Sequence, residues 1–189
     1  MKTRIDIICG YPGSGKSALI RQMTASSVDC GRVIHFEGGA DITNITAARI
    51  AQLIHRDRPD RILLESSADP NALHQLFTSH GLASQAYAGA QAIVIGAVRF
   101  LNEVTAEREY AETHLHSVDI VLVNHAATLP VRDTLAILTR VWELNQHIHV
   151  AVEPYQGIDL WKILDLPSAR VCEKTSEQTY SGESGTKHV

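Results

Sequence analysis

The chain has 189 residues, a net charge of −4 and a pI near 6.2, with 44% apolar and 20% charged residues. This is long enough for one well-buried α/β domain and short for two large ones, and the apolar content excludes wholesale disorder. The acidic balance offers no field for nucleic acid or an anionic membrane, and no apolar run reaches the ~18 residues that suggest a membrane span.

In chain order, a short apolar run, Ile5 to Cys9, reads as a buried strand and leads into Gly10-Tyr-Pro-Gly-Ser-Gly15-Lys16-Ser17. A helix is expected at once, from Lys16 to Ala25, so the opening is a strand and a loop and not a signal peptide; a cytoplasmic protein is expected. Ser26 to Gly31 reads as a turn and Arg32 to Phe36 as a second strand, followed by a loop from Glu37 to Asp41. Thr43 or Asn44 is positioned to cap a helix whose apolar stripe is Ile45, Ala48, Ile50, Ala51 and Ile54, and Pro59 ends it. Ile62 to Glu65 is a third strand, Ser66 to Pro70 a loop, and Asn71 to Ser79 a short helix. A strand at Ala92–Val98, a helix at Leu101–His116, a strand at Ile120–Asn124, a helix at Pro130–Asn145, a strand at Ile148–Val152 and a last short helix at Leu160–Leu164 complete the series. Alternating strand and helix predicts an α/β fold of three layers with a mostly parallel central sheet. Residues 1–166 are expected to form one domain, and 167–189 a polar tail too poor in apolar side chains to offset the entropy of ordering.

The stretch from Gly10 to Ser17 is G-x-x-x-x-G-K-[ST], with strand before and helix after, the setting a phosphate-binding loop requires. Its glycines let backbone N–H groups approach phosphate oxygens, and the helix N-terminus adds unpaired donors and a positive dipole end. Lys16 is placed to reach the β- and γ-phosphates and the Ser17 hydroxyl to hold Mg²⁺. Candidate nucleotide-binding residues are Gly10, Pro12, Gly13, Ser14, Gly15, Lys16, Ser17 and Ala18.

Several blocks, GYPGSGKSALI, ILLESSADPNAL, VDIVLVNHAATLP and LNQHIHVAVEPYQGIDLWKIL, resemble in order and spacing the CobW-like P-loop GTPases, relatives of HypB and UreG. The resemblance spans about residues 4–166 and implies the P-loop NTPase fold and a GTP-hydrolysing metal chaperone or metallocentre assembly factor. It implies Mg²⁺ at Ser17, with Glu65 beside it as a second metal or catalytic group, catalytic roles for Lys16 and Glu65, and Asn124 as the base-reading Asn; the plainer alternative for Glu65 is a strand-end carboxylate that caps the next turn or pairs with an Arg. Implied partners are a nucleoside triphosphate and a client metalloprotein or a second copy of the chain.

Two departures bear on ligand chemistry. Where the family's N-K-x-D supplies an Asp for guanine, this chain has Asn124-His-Ala-Ala127, which leaves GTP and ATP both open. Where the family carries C-x-C-C, Phe36 to Asp41 reads F-E-G-G-A-D, without a thiolate.

His35 and Glu37 alternate along a strand and share a face, so with a third partner such as Cys30 they would make a three-donor metal set; surface or edge histidine is the plainer reading of these and of His114, His116, His147, His149 and His188. Asp69 before Pro70 is a turn residue or a ligand, and Glu37 and Asp41 are solvated loop carboxylates or further Mg²⁺ contacts. Cys9, Cys30 and Cys172 are far apart, and Cys9 reads as a buried reduced thiol. No side chain stands out as a hydrolytic base, since phosphoryl transfer rests mainly on positioning and charge. Two other functions remain open: a non-catalytic nucleotide-dependent scaffold or switch, and a small-molecule kinase, for which Arg99 and Arg108 are isolated candidates where an Arg-rich lid would be needed.

Overall fold

In the computed structural model the described residues are 2–25, 31–39, 43, 45–78, 82–102 and 104–167. Cys30, Asp41, Asn44, Cys172, His188 and the tail from 168 lie outside them, as does most of the turn expected at Ser26–Gly31. The elements are β1 (Thr3–Gly10), α1 (Lys16–Ala25), β2 (Val33–Gly39), α2 (Ala47–Asp57), β3 (Arg61–Ser66), α3 (Pro70–Thr78), β4 (Ala86–Gly96), α4 (Ala97–Leu101), α5 (Ala106–His114), β5 (Ile120–Asn124), α6 (Val131–Leu144), β6 (His149–Val152) and α7 (Leu160–Leu164). The strands form one sheet in the order β2-β3-β1-β4-β5-β6. Every pairing is parallel.

Aliphatic runs such as Ile62-Leu-Leu64 suit strands covered on both faces, and alternation along them divides the core. Ile8, Leu63, Val94 and Leu122 pack against Leu19, Ile20 and Met23 of α1 and Trp161 and Leu164 of α7. On the other face Ile7, Ile62 and Leu64 meet α2 and α3, and Ile93, Ile95, Val121 and Val123 meet α4, α5 and α6. The three expected layers are present. Strand order reverses around β1, so the crevice at the carboxyl ends of β1 and its neighbours is where such a sheet binds ligands.

Boundaries differ from the sequence reading in four places. Glu37 to Gly39, expected as loop, continue β2. Two glycines in a strand usually weaken it, but a Cβ on Gly38 would lie 2.3 Å from the Ile45 side chain, so close packing requires glycine there. The cap of α2 is Thr46, whose hydroxyl takes the Arg49 amide at 3.2 Å, not Thr43 or Asn44. The strand expected at Ala92 begins at Ala86, and its C-terminal part, with the start of the next helix, is the separate short helix α4. The segment from Ala86 to Gln91 is mostly alanine and glycine and has no run of large apolar residues to mark a strand. It joins the sheet because Gly89 lets Asp6 of β1 approach: Asp6 Oδ1 accepts the Ala90 amide at 2.8 Å, at the point where the β1–β4 register shifts. His147, expected to share a strand face with His149, lies in the turn before β6.

Asp6 is fully buried and anchors a charged cluster on the α1/α7 face. It accepts Arg4 Nε at 2.9 Å and Arg61 Nε, while Asp165, just past α7, meets Arg4 at 2.9 Å and Arg61 at 3.0 Å. Arg61 also lies over the Trp161 ring, 5.0 Å from its centre. No helix of the described residues is long and apolar enough to cross a membrane.

Candidate functional site

The loop from Gly10 to Gly15 leaves β1 and enters α1, lining a cleft of about 770 Å³ with Pro12, Gly13, Gly15, Lys16, Ser17 and Ala18 on its wall. Gly13 and Gly15 have φ of 84° and 94°, a region closed to most side chains. At Gly15 space is as decisive as angle: a Cβ would stand 2.4 Å from Asn124 Nδ2.

Lys16 is buried, and its ammonium donates to the Gly10 carbonyl at 2.8 Å, the Tyr11 carbonyl at 3.0 Å and Ser67 Oγ at 3.2 Å. Burial pushes its pKa below the usual 10.5, with the nearby Glu65 carboxylate pulling the other way. The cation is thus held at the loop and only partly compensated, a condition suited to a polyanion.

Glu65 shows how strand parity makes a site. Arg61, Leu63 and Glu65 alternate onto the face that α1 covers, and Ile8↔Glu65 pairing sets Glu65 beside the loop. Ser17 Oγ donates to Glu65 Oε1 at 2.7 Å, and Glu65 Oε2 lies 2.8 Å from His35 Nε2. Burial pushes the carboxyl pKa up, but the hydrogen bonds from His35 and Ser17 outweigh it and hold the value below the usual 4.5. A carboxyl with a depressed folded pKa adds stability above its unfolded value and loses it as pH falls through the folded one. In a pH series of thermal melts, the Tm difference between wild type and Glu65→Gln should therefore be constant above about pH 5 and shrink below it; a difference that grows on acidification would contradict the charged pairing.

Asn124, at the end of β5, has both ends of its amide engaged. Nδ2 donates to the Ser14 carbonyl at 3.1 Å and Oδ1 accepts the Tyr155 hydroxyl at 2.8 Å. The next residue, His125, has φ of 59°, rare without glycine, and lines the cleft next to Gly15. Asp69 accepts the Asn71 amide at 2.9 Å in the turn that opens α3, and lies 3.5 Å from His114. Cys9 is buried, and its pKa is pushed up to about 12 by that burial, which makes it inert.

Three participants were not legible as such. Arg99, on α4, brings Nη1 to 3.4 Å from the Pro12 carbonyl and beside Gly13, held from behind by the buried Glu107 at 3.6 Å. Tyr155 and Ser67 come from loops after β6 and β3. For none of them does local sequence give a signal, because each depends on which strands are adjacent. Arg108, by contrast, pairs with Glu112 at 2.8 Å and stacks on Phe100.

The donor chemistry fits one ion and not another. A serine hydroxyl and a carboxylate oxygen 2.7 Å apart suit a hard, oxygen-seeking Mg²⁺. The F-E-G-G-A-D stretch supplies no sulfur, so a thiolate metal centre does not fit there.

Residues 38–151 match the model of the CobW/HypB/UreG nucleotide-binding domain. No curated protein matches the chain. Among solved structures, Zn(II)-bound YjiA GTPase from E. coli is similar with a TM-score of 0.60 at 15% identity, over 80% of this chain and 57% of that one. A Zn(II)-bound triple mutant of YjiA GTPase gives 0.61 at 14% identity, over 82% and 58%. Hydrogenase maturation factor HypB from Archaeoglobus fulgidus gives 0.56 at 14% identity, over 87% of each chain. The chain thus spans less than two thirds of the YjiA proteins, and at these identities the likeness establishes the fold.

Proposed function

Since the chain belongs to the CobW/HypB/UreG family of nucleotide-binding domains, we propose that it is a cytoplasmic Mg²⁺-dependent nucleoside triphosphatase of low turnover that serves a client metalloprotein. The observation that carries this reading is the contact of Ser17 Oγ with Glu65 Oε1 at 2.7 Å, on the residue that follows the buried Lys16. A hydroxyl, a carboxylate and a cation at the start of one helix form the reception site for a metal-bound triphosphate.

In this reading the loop amides and the α1 N-terminus take the phosphate oxygens, and Lys16 neutralises charge on the β/γ side. Mg²⁺, held by Ser17 and by Glu65 directly or through water, supplies further charge neutralisation. Arg99 adds a second cation beside Pro12 and Gly13. Asn124 holds the loop to β5, and His125 after it lines the cleft. With Ala at 127 no carboxylate at that position grips the guanine N1 and N2 hydrogens, so GTP and ATP are expected to serve comparably.

A phosphate-release assay with Mg²⁺ and either nucleotide tests the reading. Wild type should release phosphate slowly from both, and Glu65→Gln should lower the rate by about 10- to 100-fold. Wild-type activity that Glu65→Gln leaves intact would remove the metal role from Glu65. Tight nucleotide binding with no release by wild type would favour the second reading, a nucleotide-dependent switch, to which the absent carboxylate at 127 also points.

A further inference from the structure

We propose that His35, Glu37 and Glu65 form a site for a divalent transition metal ion on the α1 face of the β2–β3 pair. The site shares Glu65 with the Ser17 pairing, while His35 and Glu37 are its own, and Co²⁺ binding does not rest on the nucleotide reading. In parallel register His35 stands opposite Leu63 and Glu37 opposite Glu65. Registered partners in a sheet share a face, and His35 and Glu37, two apart, share it too. The sheet therefore projects one imidazole and two carboxylates to the same side, and one donor atom from each lies within 4.8 Å of the others.

The geometry is near what an ion needs. Zn²⁺ bound at ~2.0–2.1 Å in a tetrahedron holds its donors roughly 3.3 Å apart. His35 Nε2 and Glu65 Oε2 are 2.8 Å apart, fixed by two paired strands. The remaining donor, Glu37, is exposed on the cleft wall and closes the set by a side-chain rotation. Glu65 can serve because its oxygens have different partners: Oε1 takes the Ser17 hydroxyl, leaving Oε2 on the His35 side. The third donor thus comes from the neighbouring strand, where a reading of β2 alone looked to Cys30.

One nitrogen and two oxygens, without sulfur, select borderline ions such as Zn²⁺, Ni²⁺ and Co²⁺ over soft Cu⁺. The family's thiolate position is empty of cysteine in this chain, and the N/O set stands on the adjacent strands. Glu37 and Glu65 line the cleft, so water from it would complete the shell of a bound ion.

Titration with Co²⁺ alone, followed by its visible d–d absorption, tests the site in the full chain without nucleotide. Wild type should develop a band that saturates at one equivalent. Glu37→Gln and His35→Phe should each weaken Co²⁺ binding at least about tenfold. Glu37 is exposed, so Glu37→Gln should fold normally and keep the wild-type Tm. A wild-type titration with no saturable band overturns the proposal. So does a band that Glu37→Gln leaves unchanged, since the ion would then sit on other histidines and the His35–Glu65 contact would only orient Glu65. A chain that binds no nucleotide would still give the band, which separates this result from failure of the nucleotide reading.

Discussion

Lys16→Ala should reduce the affinity for Mg-GTP and Mg-ATP by at least about 100-fold in calorimetric titration, some 2.7 kcal/mol at 1.36 kcal/mol per tenfold step. The ammonium is the buried cation of the loop, and a charge-assisted contact to phosphate is among the stronger interactions available to a side chain. Stability should respond differently. Burial lowers the Lys16 pKa, so the charged form is held in the fold at a cost. Three hydrogen bonds to Gly10, Tyr11 and Ser67 offset it in part. Truncation removes both, so the Tm should stay close to wild type or rise. Unchanged nucleotide affinity in Lys16→Ala would end the phosphate-loop reading, and a collapsed Tm would assign the lysine to architecture.

The largest stability effect is expected in the middle of the strand that leads into the loop. Asp6→Ala should destabilise the fold by about 3–5 kcal/mol, because it leaves the buried Arg61 guanidinium with the half-exposed Asp165 as its remaining carboxylate and the Ala90 amide without an acceptor. At ~2–4 °C per kcal/mol for a domain of this size, the Tm should fall by roughly 10 °C. Asp6 lies four residues, about 13 Å, from Gly10 along the strand, so nucleotide affinity of the folded variant should be kept. Pairing Asp6→Leu with Arg61→Met should recover part of the loss, since the buried guanidinium goes with its carboxylate and Arg4 keeps Asp165, while the Ala90 amide still lacks its acceptor. A single variant within about 1 kcal/mol of wild type would mean that Arg61 relies on Asp165 instead.

What could be read beforehand was whatever is encoded by spacing along one segment. The loop from Gly10 to Ser17 carries its turns, lysine and hydroxyl in eight consecutive residues, and ILLE declares a buried strand with an acid at its end. The strand from Ala86 was hidden because small residues join the sheet through Gly89 and Asp6, not through their own preference. Glu37-Gly-Gly looked like a loop because the reason for Gly38 is the Ile45 side chain, several residues downstream. The place of Arg99 against Pro12 depends on β4 neighbouring β1, and that of His35 against Glu65 on β2 neighbouring β3. Both adjacencies follow from strand order, which no periodicity records. The family resemblance did imply one adjacency, β1 with β3, and with it Glu65 next to Ser17.

The Asp6 cluster also has a consequence for the order in which the chain is made. Arg4 reaches the Leu164 carbonyl across 160 positions, and Arg61 reaches Asp165 across 104. On the ribosome, Asp6 emerges long before Arg61 neutralises it, and both wait until α7 has cleared the exit tunnel. Meanwhile the apolar undersides of β1 and β3 lack the Trp161 and Leu164 that cover them. A nascent chain stalled before residue 160 should thus remain a target for chaperones although all six strands have been synthesised, and acquire protease resistance only when the stall point lies beyond Asp165 by the length of the tunnel.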